Sequence, residues 1–301
     1  MTTVAVPQKS TNVRFVQSVM SVLDRVSPTL AGRIGWAVFS TPGSPRPSEW
    51  VHRPDQTQWL HWESLHLAVH CWEGQGPTVL LVHGWHGRAS DLSAMAEPLR
   101  ARGYRVVAVD LPAHGGSTGR RTILPVMAAA LRAVAAMQPS LHAVVAHSFG
   151  GIVAAVALRQ GLKVDRVVLV ASPSDMEPYF ATLERALGMG PRSRGAFRER
   201  LHRVLGRAGV PGLDVTEMVA GLRIPALIVH STDDREVPVV ASRRLEQAWV
   251  GSERVVVEGL GHRRLLRNPA VVGRVVEFVA PLPEVVQTPP ERPFRLAVGG
   301  A

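Results

Sequence analysis

The chain of 301 residues predicts an α/β fold in which a mostly parallel central sheet carries helices on both faces. One observation is a first strand with alternating side chains, followed by apolar runs typical of strands buried on both sides. These strands are expected at residues 65–70, 78–82, 105–109, 142–146, 166–170, 226–229 and 254–257. A second observation is that helical spacing recurs between them, at residues 91–101, 124–137, 150–159, 239–248 and 269–279. A hydrophobic content of 46% provides for a large core and excludes disorder of the whole chain.

An N-terminal extension, residues 1–60, precedes this alternating pattern. Apolar residues at three- and four-residue spacing from Val13 to Val26 predict an amphipathic helix, and a second short helix is expected from Pro28 to near Ser40. A proline-rich linker follows these helices. Because the valine face of the first helix must be buried, we expect it to pack on the protein itself, either in cis or across a homodimer. A membrane surface is the least supported location for this helix, since its basicity is weak.

The main domain is predicted over residues 61–280. The alternation of strands and helices is interrupted at about residues 172–222, where helical patterns around Leu183 and Leu201 occur before the next strand. That interval is too long for a single crossover, so we expect an inserted helical cap. The final segment, residues 281–301, is rich in proline and is expected to be irregular.

The composition argues against several classes of function. The net charge of +10 comes from scattered arginines without interleaved aromatic pairs, so no nucleic-acid partner is expected. Cys71 is the single cysteine, which rules out an intramolecular disulfide and favours a reducing compartment, here the cytoplasm. The apolar stretch of residues 13–39 is interrupted by Asp24 and Arg25, so no transmembrane segment is expected.

The sharpest local motif is the stretch Ala146-His147-Ser148-Phe149-Gly150-Gly151, which follows one apolar run and precedes a helical segment. A serine on a tight strand-to-helix turn projects its hydroxyl, and that turn requires small residues two positions to either side. Ala146 and Gly150 meet this requirement. The N–H group that follows the serine would point into the site at a helix N-terminus, where an anion is favoured.

A serine nucleophile needs a base, and the base needs a carboxylate to orient it. Two adjacent acids, Asp233 and Asp234, follow the strand at 226–229, and His262 follows the strand at 254–257. In an open α/β sheet the C-terminal ends of parallel strands meet at the crevice where ligands bind. An acid and a histidine are therefore expected beside the serine.

Several motifs in this order resemble those of the α/β-hydrolase superfamily over roughly residues 65–280. The sequence His83-Gly84-Trp85 resembles the family's oxyanion turn. The stretch 110–117 resembles its D-x-P-G-H-G-x-S loop, and the stretch 234–238 resembles its D-x-x-V-P segment, which carries the acid. The final Gly261-His262 resembles the pair that carries the base.

This resemblance implies Ser148 as nucleophile, His262 as general base and Asp234 as orienting acid, with Asp233 the less favoured neighbour. It implies the backbone N–H groups of Trp85 and Phe149 as oxyanion-hole donors. No metal ion and no organic cofactor are implied.

The expected activity is that of a carboxylesterase acting through an acyl-enzyme on a small ester or thioester with an apolar acyl part. Apolar cap residues, which include Met176 and Phe180, are expected to line the acyl pocket. A thioesterase or an acyltransferase with the same triad is the first alternative. A non-catalytic binding module with the same fold is the alternative from another class.

Overall fold

A computed structural model describes residues 11–43 and 48–280, in which one sheet of eight strands forms the centre of the molecule. Residues 1–10 and the tail 281–301, which was predicted to be irregular, lie outside the described residues. The strands are β1 (Gln56–Trp62), β2 (Leu65–Trp72), β3 (Thr78–Val82), β4 (Arg105–Val109), β5 (Leu141–His147), β6 (Arg166–Val170), β7 (Ala226–Ser231) and β8 (Ser252–Val257).

The strand order across the sheet is β1-β2-β4-β3-β5-β6-β7-β8. Strands β1 and β2 are antiparallel, β2 pairs antiparallel with β4, and every other pairing is parallel. The chain therefore reverses its direction of travel across the sheet after β4, and the C-terminal ends of β3 and β5 become neighbours. Side chains that follow these two strands meet at this switch point.

Ten α-helices lie in the part of the chain that the structure describes. They are α1 (Thr11–Val26), α2 (Pro28–Phe39), α3 (Ala96–Arg100), α4 (Leu124–Ala136), α5 (Phe149–Arg159), α6 (Glu177–Leu187), α7 (Pro191–Arg207), α8 (Val215–Val219), α9 (Val240–Ala248) and α10 (Pro269–Val279). Helices α4 and α5 contribute to the core on one face of the sheet, whereas α3 and α10 contribute to the core on the other face. The predicted layers and the mostly parallel sheet are confirmed.

Strand β1 is the main element that the sequence prediction missed. The predicted boundary at residue 60 between the N-terminal extension and the main domain falls inside this strand. An edge strand with one exposed face has no continuous apolar run. In the sequence Gln-Thr-Gln-Trp-Leu-His-Trp, the alternation of apolar and polar side chains is also too weak to indicate a strand. Trp59 is 58% exposed, as expected for the outer face of an edge strand.

Helices α6, α7 and α8 lie between β6 and β7, and we refer to them as the cap. Helices α1 and α2 pack on α6 and α7, so the expected packing of the N-terminal helix on the protein is found in cis. Asp24 links α1 to helix α7 of the cap, because its buried carboxylate accepts a hydrogen bond from the Ser193 N–H at 2.6 Å. That bond is the largest contribution to lowering the pKa of Asp24, so the carboxylate is ionised at neutral pH.

One apolar stripe on α1 faces outward. Its members are Phe15, Val19, Val22 and Val26, which share one side of the helix and are between 40% and 72% exposed. A homodimer through this helix stays a prediction. No helix among residues 11–43 and 48–280 is long and apolar enough to cross a membrane.

Helix α2 approaches α7 closely because glycine stands at the crossing. A Cβ atom at Gly32 would lie 3.0 Å from both the Cβ of Ala196 and the backbone nitrogen of Phe197. Gly195 of α7, by contrast, has no atom within 4 Å of such a Cβ.

We predict that Gly32→Leu separates α2 from the cap and lowers the melting temperature by several degrees, because a bulky side chain cannot fit at the crossing. Gly195→Leu is the matched control, and it should leave the melting temperature unchanged or raise it, since leucine favours helix more than glycine does. Thermal unfolding followed by circular dichroism measures both variants. Equal melting temperatures for the two variants would show that the crossing contributes nothing to stability.

Candidate active site

Ser148 occupies a strained turn between β5 and α5. Its backbone angles are φ +52° and ψ −126°, a conformation that a residue with a side chain adopts only under constraint and at a cost of about 1–3 kcal/mol. The Ser148 N–H donates to the carbonyl oxygen of Val170 at 2.9 Å, and Ser172 Oγ donates to the Ser148 carbonyl oxygen at 3.2 Å. The end of β6 therefore holds both sides of the Ser148 peptide.

The two glycines after the turn allow α5 to start against the sheet. A Cβ at Gly150 would lie 2.5 Å from the carbonyl oxygen of His83, and one at Gly151 would lie 2.1 Å from Ser172 Oγ. Neither position has room for a side chain. Ala146, where the small-residue pattern more often has glycine, is fully buried at the end of β5, so its methyl group is accommodated.

Asp234 and His262 are in direct contact. His262 Nδ1 lies 2.8 Å from Asp234 Oδ2, while the other carboxylate oxygen accepts hydrogen bonds from the N–H groups of Glu236 at 2.8 Å and Val237 at 2.9 Å. Burial alone would raise the pKa of Asp234, but hydrogen bonds from His230 and His262 outweigh it and hold that pKa well below its usual value. The carboxylate is ionised at neutral pH and is placed to orient the imidazole of His262.

Asp233, the neighbouring candidate, faces elsewhere. Its Oδ1 accepts hydrogen bonds from Ser231 Oγ at 2.5 Å and from the Gly261 N–H at 3.3 Å. The Asp233 side chain is 43% exposed, whereas that of Asp234 is fully buried. The structure thus brings Asp234, and not Asp233, to His262, while Asp233 braces the loop on which His262 lies.

His230 is a site residue that the sequence reasoning missed. Its side chain is fully buried at the end of β7, with Nε2 3.4 Å from Asp234 Oδ2 and 3.0 Å from the carbonyl oxygen of Val237. Because a carbonyl oxygen only accepts, Nε2 carries the proton. Asp234 therefore lies between two histidines. The sequence offered one signal for this role, because a histidine stands four residues before Asp234 at the last position but one of the strand. The same position is equally compatible with a histidine that only packs in the core.

Two further histidines brace the loops around Ser148. His147 Nε2 lies 3.0 Å from the carbonyl oxygen of His262, and burial, followed by the proximity of His262, lowers the pKa of His147 far enough to keep it neutral. His83 Nδ1 donates to the Gly84 carbonyl oxygen at 2.7 Å, and His83 Nε2 accepts from the Leu111 N–H at 3.0 Å. Burial is the main cause of the lowered pKa of His83. His83 thus braces the turn after β3 against the loop after β4.

The predicted oxyanion-hole residues lie side by side. Trp85 follows β3 and Phe149 begins α5, and their rings meet edge to face with 5.4 Å between centroids. A Cβ at Gly84 would lie 2.9 Å from the Cβ of Ser148, so the turn that carries Trp85 passes close against the serine.

A third acid stands near the outer nitrogen of His262. Glu236 Oε2 lies 3.8 Å from His262 Nε2, and the same carboxylate pairs with Arg263 Nε at 3.3 Å. Burial, followed by the charges of Asp234 and Glu236, raises the pKa of Tyr179 on α6. Within residues 11–43 and 48–280, no three histidine, cysteine or acidic side chains are grouped to hold a metal ion.

The arrangement described above has counterparts among known proteins. A sequence model of the alpha/beta hydrolase family matches residues 79–275, which is more than half of the chain. The chain belongs to this family. The matched region begins with β3 and ends within α10, so it contains every predicted site residue but neither of the two N-terminal helices.

Relatives of this α/β hydrolase include esterases. The pimeloyl-[acyl-carrier protein] methyl ester esterase of Aeromonas salmonicida is 25% identical over 251 residues, which cover 68% of this chain and 96% of that protein. Among solved structures, Est1E of Butyrivibrio proteoclasticus with bound ferulic acid has a TM-score of 0.59 at 18% identity, covering 74% of this chain and 96% of that one. A thioesterase domain from the curacin biosynthetic pathway has a TM-score of 0.55 at 18% identity, with coverages of 74% and 98%. The α/β hydrolase described here is a carboxylesterase-like hydrolase.

We predict that Asp234→Asn lowers turnover of an activated ester on the order of 10⁴-fold, because the amide would leave the imidazole in the wrong tautomer. Asp233→Asn is the matched control and should cost far less, since that side chain contacts backbone and Ser231 rather than His262. Steady-state rates with a p-nitrophenyl ester compare the two variants. A larger loss for the Asp233 variant would transfer the orienting role to that residue.

We predict that His230→Ala lowers kcat on the order of 10-fold while KM is unchanged, because Asp234 then loses one of its donors and the base is less well placed. His230→Gln keeps an N–H donor of similar reach and should recover most of the loss. A rise in KM, or equal losses in both variants, would indicate a general packing role for His230.

Proposed function

We propose that this α/β hydrolase cleaves carboxylic esters through an acyl-enzyme formed on Ser148. Three features support the proposal: the strained turn that presents Ser148, the contact between Asp234 and His262, and the esterases among the relatives of the chain. The contact between Asp234 and His262 is the strongest support for the proposal. A buried, ionised carboxylate at 2.8 Å fixes Nδ1 of His262 as the protonated nitrogen and leaves Nε2 free to accept a proton.

In the first half of the reaction, Ser148 Oγ attacks the ester carbonyl carbon while His262 Nε2 takes the hydroxyl proton. The carbonyl π electrons move onto its oxygen, and the N–H groups of Phe149 and Trp85 stabilise this oxyanion. The tetrahedral intermediate then collapses and breaks the bond to the alcohol, which leaves with the proton from His262. The acyl group remains bonded to Ser148 Oγ.

Water reverses these steps in the second half. His262 Nε2 takes a proton from the water as its oxygen attacks the acyl carbon, and the same proton returns to Ser148 Oγ when the carboxylic acid leaves. Throughout, Asp234 stabilises the imidazolium without taking its proton. No step requires a metal ion or an organic cofactor.

Two other functions use parts of the same site. A thioesterase or an acyltransferase would form the same acyl-enzyme and differ in the leaving group or the acceptor. A binding module would keep the fold without the acyl-enzyme. The substrate panel therefore includes p-nitrophenyl esters from acetate to palmitate, acyl-CoA esters and a methyl ester on an acyl carrier protein, the kind of substrate in the name of the relatives.

The proposed location is the cytoplasm, because the single cysteine, Cys71, is buried and forms no disulfide.

We predict that a fluorophosphonate probe labels Ser148, and that Ser148→Ala loses both the label and at least ~10⁴-fold of ester turnover. The probe requires an activated serine, so labelling separates an enzyme from a binding module. Ser140→Ala, which changes an exposed serine before β5, should keep both. If the Ser148 variant retains more than about a tenth of the activity, the nucleophile lies elsewhere.

A further inference from the structure

Phe39, the last residue of α2, lies where the N-terminal helices, the cap and the sheet domain meet. Its ring is parallel to that of Trp85, with 6.1 Å between centroids and an angle of 5° between planes. It contacts Phe180 of α6 at 5.0 Å and Phe197 of α7 at 6.1 Å between ring centroids. One side chain of the N-terminal extension thus touches both the predicted oxyanion turn and the two long cap helices.

The position of Phe39 is held from both ends of α2. Gly32 allows the close crossing with α7, and a Cβ at Gly35 would lie 3.0 Å from the Met189 side chain that follows α6. Just beyond the helix, the carbonyl oxygen of Ser40 accepts a hydrogen bond from the Thr122 N–H at 2.8 Å. Helix α2 is therefore docked on the cap at one end and on the sheet domain at the other.

A narrow cavity opens between α2, the cap and the start of α4. Its lining includes Trp36 and Phe39 from α2, Phe180 from α6, Leu201 from α7, and Phe149, the residue after the predicted nucleophile. Every lining side chain is apolar. The space inside it that is open to a water-sized sphere is only about 10 Å³, so the lining side chains leave room for no more than about one water molecule.

Two phenylalanines at this junction differ in their surroundings. Phe197 is fully buried and does not line the cavity, so it serves packing. Phe39 is half-buried and lines the cavity, so its ring is one of the side chains that limit the free space there. An apolar cavity that contains the neighbour of a nucleophilic serine matches the acyl part of an ester.

We propose that α2 forms a wall of the acyl-binding site and that Phe39 sets the length of the acyl chain that the enzyme accepts. The proposal rests on the proposed function. The family match begins at residue 79, so this specificity is built from a part of the chain that lies outside the family's shared region. The N-terminal helices thereby contribute to the substrate site and also pack on the cap.

The test compares kcat/KM for p-nitrophenyl butanoate and dodecanoate. Phe39→Ala removes a ring from the cavity wall, and we expect the dodecanoate-to-butanoate ratio to rise at least about tenfold, as a pocket that gains room for several methylenes should allow. Phe39→Trp narrows the cavity and should lower the ratio. Phe278→Ala is the matched control, because it truncates another half-buried phenylalanine on α10, away from the cap, and it should leave the ratio unchanged.

Ratios equal to that of the wild type in both Phe39 variants would overturn the proposal. If Phe39→Ala unfolds, as shown by its melting temperature, Phe39→Trp alone decides the outcome. Loss of rate on both esters in equal proportion would indicate packing of the cap, and it too would count against a role in chain length.

A binding measurement separates failure of this inference from failure of the proposed function. Isothermal titration with hexanoate and dodecanoate requires no turnover, so it applies even if the wild-type protein hydrolyses none of the esters. We expect Phe39→Ala to bind dodecanoate at least about tenfold more tightly relative to hexanoate than the wild type does. An unchanged preference would refute the wall at Phe39 whatever the result for Ser148.

Discussion

The site depends on one steric constraint, the absence of space for a side chain at the two glycines that follow Ser148. The start of α5 is pressed between the end of β3, at the His83 carbonyl oxygen, and the end of β6, at Ser172. This contact holds Ser148 in its strained conformation at the switch point of the sheet. Because the strain is local and the surrounding sheet is fully buried, the fold can hold this conformation at a modest cost.

Hydrogen bonds of buried histidines connect the loops that surround Ser148 to one another. His83 joins the turn after β3 to the loop after β4, and His147 joins the end of β5 to the loop of His262. Burial lowers the pKa of both rings and keeps them neutral, so each has a defined donor nitrogen at neutral pH. Asp234, with two histidines and two backbone N–H groups as donors, remains ionised in the same buried surroundings.

The N-terminal helices add a second layer to this arrangement. They cover the cap helices through Asp24 and the close crossing at Gly32, and they end with Phe39 against Trp85. A segment that looks like an appendage in the linear sequence therefore lines an apolar cavity together with the cap. Its position follows from packing rather than from sequence proximity, since α2 and Trp85 are separated by β1, β2 and β3.

The sequence by itself determined the layered α/β fold, the turn at Ser148 and the order of Ser148, Asp234 and His262, because apolar periodicity, small residues at the turn and chain order are local properties. It did not reveal β1, since an edge strand with one exposed face lacks a buried run. Only the tertiary structure placed Asp234 rather than Asp233 beside His262, added His230 to the same carboxylate, and brought Phe39 to the cavity. Those contacts join residues from different elements, and their distances depend on how strands and helices pack, which no pattern within one segment encodes.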